Sequence, residues 1–221
     1  MSDEWASGRQ RWAEEHAFAY QADVPDSMLH ERFYLYTLGE DHPVVTGTNL
    51  LTGSWNGTDL SVFDVLVPQM VGASGAGVSI DWIERDDITV AMVRLDADLP
   101  YVYVEKKGLL TRAADDLDRI DRLHHDHLEV TCGARDFDKH FEVKTTHPDY
   151  ARELFDHPMM EALLESGTEY VYETEGDEFI VHGRHVGHAE LPALLDAAKR
   201  FSDHIPPAVL EKYAPGWRDG G

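Results

Sequence analysis

Cysteine and basic residues are both scarce in this chain. Cys132 is the single cysteine among 221 residues, which excludes an intramolecular disulfide framework and fits a reducing compartment. Lys and Arg number 19 against 42 Asp and Glu, which gives a formal charge of -23. Long-range electrostatics therefore oppose the approach of nucleic-acid phosphates and of anionic lipid. The sequence predicts a protein that binds neither nucleic acid nor membrane.

A long apolar run is also missing from the start of the chain. The opening stretch MSDEWASGRQRWAEEH contains acids and lacks the apolar segment that a secretory signal or a membrane span requires. We therefore expect a cytoplasmic protein. Asn56-Gly57-Thr58 matches a glycosylation acceptor, but without export it is interpreted as a turn.

The apolar residues that are present suffice for one core, since hydrophobic residues make up 43% of the chain. The sequence shows no internal repeat, no low-complexity segment and no linker long enough to separate domains. We expect a single α+β domain over residues 1–221, with a short flexible tail over 214–221.

Turn residues between apolar runs predict a mainly antiparallel sheet built from hairpins. Asn56-Gly57 stands between two β-rich runs, which is the strongest short-range hairpin signal. A turn over Asp96–Pro100 is predicted to join two further strands, and Glu175–Asp177 is predicted to turn a second hairpin. Another strand is expected to begin near Leu128.

Apolar residues at steps of three and four predict amphipathic helices near both ends of the chain and a broken helix packed on the sheet. The N-terminal helix is expected to run from a capping box at Ser7 to about Tyr20. The broken helix is expected to begin at a capping box at Thr146 and to restart at Asp156. The C-terminal helix is expected over about Glu190–His204. Shorter helical pieces are expected at 28–33, 110–123 and 209–213.

The segment HGRHVGH, residues 182–188, raises the question of a metal site. If the preceding strand continued, His182 and His188 would share one face while His185 pointed to the other, because side chains alternate along a strand. Gly183 and Gly187 argue for a loop rather than a helix. A loop can still wrap a zinc, copper or nickel ion, but we interpret these histidines as solvent-facing.

A second histidine cluster comprises His124, His125 and His127. On a strand, His125 and His127 would lie on one face and could chelate a metal, provided that other segments supplied further ligands. The alternative, which we favour, is a polar junction between a helix and a strand. The sequence therefore assigns no metal-ligating residue and predicts no cofactor.

Three further residues have chemistry to consider. Ser74 lies in GASGAG, which departs from the nucleophile elbow and is interpreted as a loop. Cys132 would need a histidine in reach to act as a nucleophile, and is interpreted as a small apolar filler in a strand. Asp64, inside the apolar run VFDVLV, is expected to be buried and hydrogen-bonded to a neighbouring strand or turn, although burial would also suit a functional acid. We assign no catalytic or cofactor-binding residue.

The segments DFDKHFEV and YARELFDHPMMEALLE, with NLLTGSWNGTDLSVFDV upstream, resemble a family of uncharacterised bacterial proteins built around a domain of unknown function. The resemblance covers about a third of the chain. It implies an α+β fold with a strand, a broken helix and an early hairpin. The family offers no established catalytic residues.

Three functions remain open from the sequence. We favour a non-enzymatic cytosolic binding or scaffold module that meets a protein partner through an acidic face or through the loops at one end of a sheet. The second is a small metal-assisted hydrolase that uses a histidine cluster. The third is a carrier of a small ligand, with an aromatic pocket formed by residues such as Trp55, Tyr101 and Tyr103.

Overall fold

A computed structural model of the chain describes residues 3–29, 46–71, 81–107, 128–166, 170–184 and 186–216. It contains an antiparallel sheet of seven strands flanked by helices, which confirms the predicted α+β class. The strands are β1 (Ala19–Asp23), β2 (Thr46–Trp55), β3 (Thr58–Val71), β4 (Asp81–Lys106), β5 (Leu128–Glu129), β6 (Phe141–Thr145) and β7 (Val171–Arg184). The helices are α1 (Asp3–Glu15), α2 (Arg135–His140), α3 (Pro148–Leu154), α4 (His157–Ser166), α5 (Leu191–His204) and α6 (Pro207–Lys212), and a 3-10 helix spans Asp26–Met28.

Strands β2 and β3 form the hairpin that the sequence predicts. Asn56 and Gly57 have φ values of 49° and 87°, and Trp55 pairs with Thr58 across the turn. Two successive positive φ values belong to the turn type whose twist matches antiparallel strands. The hairpin prediction is confirmed.

Strands β4 and β7 each reverse direction within their length. In β7, His182 Nε2 lies 2.9 Å from Glu173 Oε1, although nine residues of extended strand span about 30 Å. The strand therefore folds back near Gly176, whose φ is 62°. Because residues 88–94 of β4 pair with 178–184 and residues 99–104 pair with 172–176, β4 reverses as well. We call the two halves of each strand its arms, residues 88–94 and 99–104 in β4 and residues 172–176 and 178–184 in β7. The two arms of β7 thus lie between the two arms of β4.

The turns predicted at Asp96–Pro100 and Glu175–Asp177 fall at these two reversals. Each pair of predicted strands forms the two arms of one long strand, β4 or β7. The register shifts between Arg94 and Leu99, and again before Val102, where β4 passes the tip of β7.

The sheet has two different faces. The first face, which carries Leu51, Val62, Ala91, Val104 and Phe179, belongs to one buried apolar cluster together with residues of helices α1 to α6. The second face carries two smaller buried clusters. One surrounds Phe63, Val65, Val90 and Ile180 with the 3-10 helix beside it, and the other comprises Tyr101, Tyr103 and Val171.

Helix α1 differs from its prediction at both ends. It starts at Asp3 rather than at Ser7, and it ends at Glu15, so Tyr20 belongs to β1. The helix ends early because Ala17 takes φ 59° and Phe18 N–H donates to Ala13 C=O at 2.8 Å, an arrangement that terminates helices.

The broken helix is present as α3 and α4, with different caps from those predicted. The predicted capping box at Thr146 is wrong: the N-cap of α3 is His147, which makes no side-chain capping bond. Asp156 does begin α4, since its Oδ1 accepts the Met159 N–H at 3.0 Å. Residues 136–140 of the segment DFDKHFEV belong to helix α2, and the strand begins at Phe141.

The C-terminal helix matches its prediction. Helix α5 buries Leu191, Leu194, Leu195, Ala198 and Phe201 against the sheet, each at most 1% exposed, and α6 follows. Strand β5 begins at Leu128 as predicted. The 3-10 helix ends at Met28, where the expected piece at 28–33 begins. Residues 30–33 of that piece, the helix expected at 110–123 and the loop around Ser74 lie outside the described residues.

Candidate functional site

A buried ion pair joins helix α1 to the middle of the sheet. Arg9 Nη2 lies 2.8 Å from Asp64 Oδ1, and both side chains are 1% exposed. Arg9 Nε also donates to Asp64 Oδ2 at 3.1 Å, so the contact is bidentate and therefore strongly oriented. The prediction that Asp64 is buried and hydrogen-bonded is confirmed, and its main partner is an arginine 55 residues away.

Three further donors saturate the Asp64 carboxylate. Thr89 Oγ1 donates to Oδ1 at 2.8 Å, and Asn49 Nδ2 and Trp5 Nε1 each donate to Oδ2 at 3.1 Å. Asn49 reaches this position because β2 is irregular between Thr48 and Leu51, where Asn49 takes φ 56°. With its acceptor sites occupied, Asp64 holds α1 on the sheet and has little capacity left for acid-base chemistry.

His188 packs beside this ion pair. Its ring lies 4.9 Å from the ring of Trp5, and the pKa of its imidazole is lowered by burial and by the nearby charge of Arg9. The neutral form is therefore favoured. Its Nδ1 and Arg9 Nη1 are both buried without a hydrogen-bond partner among the groups that the structure describes.

Gly8 provides the room for His188, because a Cβ at this position would overlap the imidazole ring at Nε2. Replacing Gly8 by Ala is expected to lower the free energy of unfolding by about 1–2 kcal/mol, since overpacking outweighs the helix propensity that alanine adds. Urea unfolding measures the difference. In the double variant Gly8→Ala/His188→Ala the clash is gone, so the alanine at position 8 is then expected to be neutral or stabilising. An equal loss in both backgrounds would contradict this contact.

The second face carries a separate buried polar cluster. Glu173 is fully buried. It contacts His182 Nε2 at 2.9 Å and accepts a hydrogen bond from the Tyr101 hydroxyl at 3.3 Å. Burial, followed by the charge of Glu173, raises the pKa of Tyr101 well above its ordinary value. A carboxylate that orients an imidazole also occurs in catalytic sites, but His182 is only 8% exposed here.

Glu105 lies two residues beyond Tyr103 on the same strand. It is 3% exposed, and its Oε2 has no hydrogen-bond partner among the described residues. Burial raises the pKa of this carboxyl from 4.5 to about 7, against a smaller lowering by the hydrogen bond with Tyr103. Such a carboxyl group is uncharged in mildly acidic solution. Above neutral pH it becomes charged, and burial of that charge costs free energy.

The structure separates the histidines of HGRHVGH. His182 lies on the second face with Glu173, whereas His188 lies under α1 beside the first-face ion pair. The strand does not continue to His188, because β7 ends at Arg184. The interpretation of these histidines as solvent-facing is wrong for His182, which is buried beside Glu173, and His188 is only half-exposed. His185, His124, His125 and His127 lie outside the described residues, and the described part of the chain contains no group of three metal-ligating side chains.

Cys132 and the three rings of the proposed aromatic pocket do not lie where the sequence predicts them. Cys132 lies in a loop after β5 rather than in a strand. It packs against the first-face cluster as a half-buried filler, and burial raises the pKa of its thiol to about 12. Trp55 packs on the first face, whereas Tyr101 and Tyr103 lie on the second. These three rings therefore do not form one pocket.

One group of aromatic rings reaches the surface, at the end of the sheet where the β2–β3 hairpin meets α1 and α5. We call the side chains of Trp12, His16 and Trp55 the aromatic patch. His16 is exposed and stacks on buried Trp12 with ring centroids 4.1 Å apart, and half-buried Trp55 lies 6.1 Å from both rings. Trp55 Nε1 donates to Asp196 Oδ1 of α5 at 2.7 Å. Sequence reasoning grouped Trp55 with the wrong rings because its neighbours are distant in the chain.

These features define an α+β protein in which an antiparallel sheet carries its larger helices on one face, with a buried polar cluster on each face of the sheet. The fold is similar to that of a crystal structure of the mycobacterial trehalose monomycolate transport factor A, TtfA. The TM-score is 0.61 at 20% sequence identity, over 95% of this chain and 97% of that one. No family model and no curated protein matches the chain. None of the described helices is long and apolar enough to cross a membrane.

Proposed function

We propose that this protein is a non-enzymatic binding module that meets a positively charged protein partner through its acidic exterior. The observation that carries the proposal is the placement of charge. Among residues with described side chains, exposed Asp and Glu outnumber exposed Lys and Arg by more than two to one. A field of one sign attracts partners of the opposite sign and speeds their association.

The placement of the reactive groups agrees with a binding role. Asp64 is saturated by four side chains, and His182 and His188 lie on different faces. A half-buried cysteine whose thiol pKa is raised to about 12 is a poor nucleophile. The described side chains that have reactive chemistry thus serve packing and the attachment of α1.

The similar fold supports the same proposal from another direction. The mycobacterial protein is, by its title, a transport factor for trehalose monomycolate. A factor in a transport process can act by binding other components rather than by catalysis, and we propose that this chain has a comparable role. The fold carries no information about which molecule is bound.

Pull-down with the purified protein at about 0.1 M and about 1 M salt tests the proposal, because the Debye length falls from about 10 Å to about 3 Å over this range. We expect basic proteins to be captured at the lower salt concentration and released at the higher one. Circular dichroism at both salt concentrations checks that the fold persists. Failure to capture basic proteins at low salt, or capture that persists at high salt, would contradict an electrostatic binding role.

A further inference from the structure

We propose that the aromatic patch is the docking point for an arginine side chain of the partner; this inference rests on the proposed function and locates it. The patch combines exposed aromatic surface with carboxylates on either side, Glu15 beside His16 on α1 and Asp196 beside Trp55 on α5. A guanidinium group can stack on an indole or imidazole face while it donates hydrogen bonds to carboxylates. Arginine, tryptophan and tyrosine are also the residues that dominate binding energy at protein interfaces.

Acidic residues outnumber basic ones around the patch. Residues 12–20, 52–61 and 189–198 contain Asp and Glu but no Lys or Arg; Arg11 and Lys199 directly flank them in the chain, and Lys199 is paired with Asp203 at 2.7 Å. Two other exposed carboxylates also contact a cation: Glu153 contacts Lys212 at 2.8 Å and Asp149 contacts Arg152 at 2.9 Å. A partner's cation therefore meets less competition at the patch than at those sites.

The backbone beside the patch supports an interaction role. Ala17 follows His16 directly, is exposed, and takes φ 59°. This helix-terminating position is normally glycine, because a Cβ in the left-handed region costs about 1–2 kcal/mol. The chain therefore presents a methyl group at an energetic cost next to exposed rings. Backbone strain of this kind is concentrated at functional sites.

The arrangement also fits the geometry of stacking. His16 lies nearly parallel to Trp12, with 12° between the rings, so the outer face of the imidazole is available to a second planar group. The His16 Nδ1 contacts Trp12 O at 2.8 Å, which fixes the ring orientation. A planar guanidinium matches this surface better than a compact ammonium group.

The test uses two synthetic peptides of equal charge, one containing arginine and the other lysine at the same positions, titrated by calorimetry at about 0.1 M salt. We expect the arginine peptide to bind more tightly, and the variant Trp55→Leu to bind it about tenfold more weakly. The double variant Glu15→Gln/Asp196→Asn is expected to lose a similar factor. The matched control Glu161→Gln/Glu165→Gln removes two exposed acids from α4 and is expected to change affinity less than twofold.

The outcomes separate the two proposals. Equal losses in the two double variants, or equal binding of the arginine and lysine peptides, would overturn the docking point while leaving an acidic binding surface in place. Absence of binding by either peptide to the wild-type protein would overturn the proposed function as well. Thermal unfolding of each variant shows whether the fold is intact, and the surface pair at Glu15 and Asp196 keeps the test valid if Trp55→Leu fails to fold.

Discussion

Replacing Asp64 by alanine is expected to lower the free energy of unfolding by about 3–5 kcal/mol, because the guanidinium of Arg9 would remain buried without its counter-charge. Both side chains are 1% exposed and in bidentate contact, so solvent cannot replace the lost carboxylate. The donors from Trp5, Asn49 and Thr89 would lose their acceptor too. Urea unfolding of the wild-type and variant proteins in the same buffer measures the loss.

Two controls define what this loss means. The double variant Arg9→Met/Asp64→Leu removes both charges and is expected to be at least about 2 kcal/mol more stable than Asp64→Ala, since a buried ion pair adds little beyond a well-packed apolar pair. Asp203→Ala breaks an exposed contact with Lys199 and is expected to cost under about 1 kcal/mol. A similar small cost for Asp64→Ala would show that α1 is not held by the ion pair.

The parts of the fold that the sequence predicts well are those that depend on neighbouring residues. Asn56-Gly57 adopts the two positive φ values that the hairpin turn requires. This turn could be predicted from the dipeptide and a few residues on either side of it. The stripe from Leu191 to Phe201 is a property of one helix, and burial follows it closely. Local patterns of this kind are set by backbone geometry and need no knowledge of distant contacts.

The site depends instead on contacts between distant segments, which limited its prediction. The sequence singles out Asp64 as an unusual acid in an apolar run, but nothing near it indicates Arg9, which lies 55 residues away. Burial of Arg9 also runs against the usual exposure of arginine. The aromatic patch combines side chains from the N-terminal segment and the β2–β3 hairpin, with Asp196 of α5 bonded to Trp55, so its composition could not be predicted from any single segment.

His182 and His188 of the segment HGRHVGH show the same limit. Strand alternation is a sound rule while a strand continues, but β7 ends at Arg184 and the chain turns under α1 before His188. At Gly183, one residue before the end of the strand, a Cβ would clash with the ring of Tyr170. That contact arises because β7 folds back on itself, which brings together residues 13 apart in the chain.

Replacing Glu105 by glutamine is expected to make stability less dependent on pH. The pKa of this carboxyl is raised from 4.5 to about 7 in the folded protein, so the folded state holds a proton that the unfolded chain has released. The contribution of Glu105 to stability is therefore largest below pH 4.5 and is lost as the pH rises towards 7. A shift of this size corresponds to at most about 3 kcal/mol.

The measurement is the free energy of unfolding of Glu105→Gln minus that of the wild type, followed from pH 4 to pH 8. This difference is expected to rise by about 2–3 kcal/mol over that range in favour of the variant. Any constant cost of burying the amide cancels, because only the change with pH is compared. Glu161→Gln, at an exposed position on α4, controls for removing one charge from a strongly acidic protein. A difference for Glu105→Gln that stays as flat as the control would show that water reaches this carboxyl, and that the second face is open beside Tyr103.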